Sequence, residues 1–166
     1  MKRTLIVVDM QNDFIDMALG TKEAVAIVPK VKQKITEYIE NGDTVIYTRD
    51  THGNDYLSTP EGKKLPVEHC IKNTRGWEIA DGLYVDGCKI IDKPNFGWPN
   101  WKEETLEKVE IIGLCTDICV VSNALIIKAS FPNAEISVCA SCCAGVTPET
   151  HEAALETMKM CQIVIK

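Results

Sequence analysis

The chain has 166 residues, 45% of them hydrophobic and 25% charged, with 18 Lys and Arg against 24 Asp and Glu for a net charge of -6. That length suits one domain spanning residues 1–166, and surface scaling leaves about 69% of the unfolded chain's surface to bury, so a core forms without staples. No basic excess supports nucleic-acid binding, no apolar run approaches a membrane span, and the N-terminal stretch lacks the apolar core and cleavage site of a signal peptide.

Residues 4–9 form a continuous apolar run that ends in Asp9, the pattern of a buried strand. Residues 29–41 carry Val31, Ile35, Tyr38 and Ile39 at helical spacing, with Pro29 at the start and Gly42 after the end. Residues 43–49 read as a second strand. Residues 50–77 show no periodicity and hold Gly53, Pro60, Gly62, Pro66 and Gly76, so they read as a long functional loop. A third strand is expected over 88–92, a helix over 98–108 and a fourth strand over 109–114. Residues 117–130 are apolar nearly all round and predict a buried helix stopped by Pro132. A fifth strand over 135–140, a helix opened by Thr147-Pro148-Glu149 and a sixth strand over 162–165 complete the chain.

Strands alternating with helices predict a parallel sheet covered on both faces. In such sheets ligands bind beyond the carboxyl ends of the strands. Asp9 ends the first strand, Asp50 and His52 follow the second, Lys93 the third, and Cys115 to Cys119 the fourth. Four strands thus deliver titratable groups to one edge.

Eight cysteines without an export signal imply a reducing, cytoplasmic setting and free thiols. Most serve as small buried hydrophobes. Cys119 is the exception: with Thr116 as N-cap it falls in a first helical turn, where the dipole favours a thiolate. Asp9 is placed to take a thiol proton, and Lys93 to stabilise both charges. Asp50 and His52, two apart on a loop, can ligate one metal with His69 as the third ligand, a donor set suited to zinc, iron or manganese, although each His taken alone reads more simply as an N–H closing a turn. Cys139, Cys142 and Cys143 have no second Cys pair at zinc-ribbon spacing and read as strand packing. His151 reads as solvated.

The stretches LIVVDMQNDF, TRDTH, DKPNFG and GLCTDICV together resemble the isochorismatase-like cysteine hydrolases, which include the nicotinamidases. The resemblance runs from Thr4 to Ile165. It implies a three-layer α/β/α sandwich around a six-stranded parallel sheet. It implies Asp9, Lys93 and Cys119 as catalytic residues, with the backbone N–H groups of Cys115 and Cys119 as oxyanion donors and a cis Leu114–Cys115 bond. It also implies that Asp50, His52 and His69 hold a divalent metal, zinc first, and that Phe14, Leu65 and Ile118 wall the substrate pocket. The activity implied is hydrolysis of a small carboxamide through a thioester, nicotinamide being the first candidate. The expected partners are that small molecule and a second copy in a homo-oligomer. Other readings are hydrolysis of a different small substrate, such as an isochorismate-like vinyl ether, and a metal- or thiol-responsive binding protein on the same scaffold.

Overall fold

The computed structural model describes residues 3–166; Met1 and Lys2, where the stretch read above as lacking a signal begins, lie outside it. Six strands are joined by five helices. In chain order they are β1 (Thr4–Val8), α1 (Asn12–Ile15), α2 (Lys22–Glu40), β2 (Thr44–Asp50), α3 (Pro60–Lys64), β3 (Lys89–Lys93), β4 (Lys108–Leu114), α4 (Val121–Ser130), β5 (Glu135–Ala144), α5 (Pro148–Met160) and β6 (Val164–Ile165). All neighbouring strands pair in parallel, in the order β3-β2-β1-β4-β5-β6.

Side-chain alternation explains the three layers. Leu5, Val7, Val45 and Ile112 point toward Val31, Ile35 and Tyr38 of α2. Ile6, Val8, Ile46 and Ile111 point the other way, toward Ala124 and Ile127 of α4 and Leu155 and Met158 of α5. Both faces of β1 are therefore buried, which is why it reads as an unbroken apolar run rather than an alternating one. No helix among the described residues is long and apolar enough to cross a membrane.

Several boundaries depart from expectation. Helix α2 starts seven residues before Pro29, because the Thr21 hydroxyl caps it by accepting from the Ala24 N–H at 3.0 Å. Pro29 then sits inside the helix on its exposed face, where the carbonyl it leaves unpaired can turn to water. The helix expected over 98–108 is only a single 3₁₀ turn at Trp101–Glu103, because Trp101 is driven into the core beneath α4. Strand β5 runs on to Ala144 through a bulge. Ile111 pairs with Val138, but Gly113 pairs with Cys143, so β5 carries extra residues across two steps of β4. Gly113 has φ 118°, and a Cβ there would lie 2.1 Å from the Val8 carbonyl oxygen. Only glycine fits that close approach to β1. The cysteines of β5 pack on the sheet, and among the described residues none joins a metal-binding group.

Candidate active site and metal centre

The sheet order changes direction between β1 and β4, and the crevice beyond their carboxyl ends is the expected ligand site. The segment DMQNDF that leaves β1 builds much of it. Asp9 takes φ 47°, turning the chain sharply as the strand ends. The Asp9 N–H donates to the Thr48 carbonyl at 3.2 Å, and the Thr48 hydroxyl donates to Asp9 Oδ1 at 2.6 Å. Gln11 is wholly buried and ties β1 to β2. Its Oε1 accepts from the Asp50 N–H at 2.8 Å, and its Nε2 donates to the carbonyls of Asp50 and Trp77 at 2.9 and 2.8 Å. Asp13 accepts from the Cys70 N–H at 2.8 Å, which fixes the loop that carries His69. Phe14 lies against the His69 ring, centroids 5.5 Å apart. Four side chains of one short segment, Asp9, Gln11, Asp13 and Phe14, thus tie together both halves of the site.

The first half joins Asp9, Lys93 and Cys119. Lys93 and Asp9 are both 0% exposed, with Lys93 Nζ 2.6 Å from Asp9 Oδ2. Nζ also donates to the Asn95 carbonyl at 3.1 Å. Cys119 is 4% exposed and sits close enough to Asp9 and Lys93 for both charges to act on its thiol. Burial pushes the Asp9 carboxyl above its ordinary range, and Lys93 pulls it only part of the way back. Burial also opposes charge on Lys93, but Asp9, Cys119 and Asp50 outweigh it and keep the ammonium. Burial, then Asp9, push the Cys119 thiol well up, against the opposing pull of Lys93.

That last direction corrects the expectation of a helix-start thiolate. Cys119 lies in a π-helical turn, Thr116–Val120, that precedes α4. Cys115, not Thr116, occupies the N-cap position, and no side chain caps the turn. The Thr116 hydroxyl instead pairs with His151 Nδ1 at 2.7 Å, so His151 is anchored rather than solvated. The Leu114–Cys115 bond that enters this turn is cis.

The second half is a cluster of Asp50, His52, Glu61 and His69, whose ligand atoms lie within 4.8 Å of one another. His52 Nε2 is 2.9 Å and His69 Nε2 3.5 Å from Asp50 Oδ2. Glu61 Oε1 is 3.7 and 3.8 Å from the same two nitrogens. His69 Nδ1 donates to the Val67 carbonyl at 2.8 Å, so Nε2 faces the Asp50 and Glu61 carboxylates, the orientation a metal ligand needs. Burial, then Asp50, push the Glu61 carboxyl up, as expected for two carboxylates facing each other. Asp50 Oδ1 is buried without a hydrogen-bond partner. Two imidazoles and two carboxylates that crowd together in this way fit a divalent cation.

A small cavity joins the halves. Phe14, Leu65 and Ile118 line it, together with Phe96 and Cys119, and His69 and Glu61 face it from the side of the Asp50 cluster. Sequence reasoning missed Glu61 and Phe96. The signal for Glu61 was present: Thr59-Pro60-Glu61 repeats the helix start read at Thr147-Pro148-Glu149, and the Thr59 hydroxyl does cap α3 by accepting from the Gly62 N–H at 3.0 Å.

Known proteins share this architecture. A solved pyrazinamidase of Pyrococcus horikoshii in complex with zinc superposes with TM-score 0.87 at 30% identity, over 100% of this chain and 99% of that one. A nicotinamidase/pyrazinamidase of Bacillus subtilis does so with TM-score 0.85 at 26% identity, over 99% of each. A nicotinamidase of Schizosaccharomyces pombe is 28% identical over 97% of this chain and 91% of its own. A probable inactive nicotinamidase of Arabidopsis thaliana is 31% identical over 93% of this chain and 87% of its own, so overall likeness does not by itself separate active relatives from inactive ones. The Isochorismatase domain model matches residues 3–166, and the chain belongs to the isochorismatase family of hydrolases, in its nicotinamidase-like branch.

Proposed function

We propose that this protein is a cysteine amidohydrolase that converts a small carboxamide to its acid and ammonia, nicotinamide being the first candidate. The observation that carries the reading is the buried Lys93–Asp9 ion pair set beside Cys119, which lines a small cavity. Asp9 accepts the Cys119 proton as the sulfur attacks the amide carbon. A protonated resting thiol and an ionised partner carboxylate are the right starting forms for that transfer. Lys93 favours the ionised form of Asp9 against the burial that favours the neutral acid.

The carbonyl oxygen gains charge as the C–S bond forms, and the backbone N–H groups of Cys115 and Cys119 receive it. The C–N bond then breaks, and ammonia leaves with the proton Asp9 holds. Asp9 next takes a proton from water, which attacks the thioester carbon. The acid departs and Cys119 regains its proton. Asp50, His52, Glu61 and His69 would hold a divalent cation, zinc first, which supplies a Lewis-acid point for a donor atom of the substrate. Phe14, Leu65, Phe96 and Ile118 exclude water and grip the substrate body.

The test is ammonia release from a panel of small amides, nicotinamide included, with metal-replete protein. Release that disappears in Cys119→Ala supports the reading. Metal binding without ammonia from any amide overturns it in favour of a binding protein on the same scaffold.

A further inference from the structure

Asn123, two residues into α4 beyond its first, has no part in the chemistry above, yet it is completely buried and uses its whole hydrogen-bonding capacity. Its Oδ1 accepts from the Trp98 N–H and from Trp101 Nε1, both at 2.9 Å. Its Nδ2 donates to the Cys119 carbonyl at 2.8 Å and to the Phe96 carbonyl at 3.1 Å. An amide offers two donor hydrogens and two acceptor sites, and all four are matched. A planar group satisfied in this way cannot rotate or slide without leaving buried partners unpaired.

The partners are what matter. Cys119 carries the sulfur, and Phe96 forms one wall of the cavity that the sulfur faces. The segment bearing Phe96 is held close from two further directions. Lys93 Nζ donates to the Asn95 carbonyl. Gly97 lies flat on α4, where a Cβ would stand 2.4 Å from Ile126 Cδ1. Phe96 as a whole remains 38% exposed beside the cavity, so its own packing does not fix it. Its placement comes from its backbone, and its backbone is held by Asn123.

We propose that Asn123 is a positioning residue for the amidohydrolase reaction, a bracket that sets the offset between the Cys119 nucleophile and the Phe96 wall. The inference rests on the amidohydrolase reading. Asn123 touches no substrate; it acts through the two residues it joins. A displacement of about 1 Å in such an offset costs on the order of 10²-fold in rate.

A double-mutant cycle on Phe96→Ala and Asn123→Ala tests it, with Asn123→Ser as a milder variant that keeps a hydroxyl in case the alanine chain does not fold. Two readouts are taken: kcat and KM for nicotinamide, and the rate of Cys119 alkylation by iodoacetamide, scored by peptide mapping. Phe96→Ala is expected to raise KM severalfold. Asn123→Ala is expected to lower kcat about 10- to 100-fold as well as raise KM, with Asn123→Ser in between. In the Asn123→Ala background Phe96→Ala should add less than about twofold to either readout, since the wall is already displaced. Effects that multiply independently in both readouts overturn the bracket and leave Asn123 a core residue. No ammonia from any amide, together with coupled alkylation rates, overturns the amidase reading while the bracket stands.

Discussion

Glu110 and Asp9 are both carboxylates sunk in the same sheet, yet they are treated oppositely. Glu110, on β4, is 4% exposed and fully surrounded: the Tyr38 hydroxyl donates to it at 3.0 Å, Lys166 Nζ at 3.1 Å, and Lys34 Nζ stands 3.6 Å away. Burial pushes its carboxyl up, but Lys166 and Lys34 outweigh burial and hold it below the ordinary range. Asp9 is more deeply buried and, among the described residues, has only one ammonium and one hydroxyl as side-chain partners, and its carboxyl stays above the ordinary range. A saturated carboxylate serves the fold; an undersupplied one is ready to take a proton.

The sharpest way to break that contrast is to remove the proton traffic. Cys119→Ala should abolish ammonia release while leaving the thermal unfolding midpoint close to the parent's. Asp9→Asn should cut turnover by roughly 10²–10⁴, the range of a lost general base. Because the Asp9 carboxyl is raised, kcat/KM of the parent should fall on the acid side at a pH above the usual carboxylate range. That limb should vanish in Asp9→Asn. An unchanged limb in the variant would assign it to another group.

The metal cluster comes next. His52→Ala and His69→Ala should lose bound divalent metal as measured by elemental analysis, and Glu61→Gln should weaken it by about 10- to 100-fold, a loss typical of one supporting contact. Full occupancy in all three variants would remove the site from the mechanism. The thiol titration gives a finer separation. Lys93 lowers and Asp9 raises the tendency of Cys119 to stay protonated. The pH of half-maximal alkylation of Cys119 should therefore rise in Lys93→Met and fall in Asp9→Asn. Shifts of one sign would mean that the three groups do not act on one another.

The sequence made the first half of this site readable because strand ends in a parallel sheet share an edge, so Asp9, Lys93 and the Cys115–Cys119 stretch could be placed together without coordinates. Asp50, His52 and His69 became a metal set only through the family resemblance, because their spacing alone fits a turn-closing His better. Glu61 stayed hidden because its helix is only five residues long and sits in a stretch without periodicity. Asn123 stayed hidden for another reason: a polar residue next to Ser122 on a largely apolar helix looks like an exposed position until its four partners are seen. The π turn and the β5 bulge change hydrogen-bond registers that hydrophobic patterns do not encode. The direction of the Cys119 shift depends on burial, which a helix-start motif cannot report.

The smallest effect belongs to the saturated carboxylate. Glu110→Gln keeps the shape and an oxygen for the Tyr38 hydroxyl, and removes the charge that faces Lys34 and Lys166. Lys166 is 51% exposed and Lys34 23% exposed in their side chains, so both ammonium groups can turn to water once the partner is gone. The cost should therefore sit below that of a sealed ion pair, at about 1–2 kcal/mol at neutral pH. The sign of its pH dependence follows from the lowered carboxyl. Stability from a lowered carboxyl is present above the unfolded value, near about 4.3. It is lost as the pH falls through the folded one. The gap in urea midpoint between parent and Glu110→Gln should then be full at pH 7 and shrink as the pH falls below about 4. Ammonia release should be unchanged at pH 7. A gap constant with pH would show that Glu110 acts by shape alone, and a change in kcat would show that the two carboxylates are not separate in function.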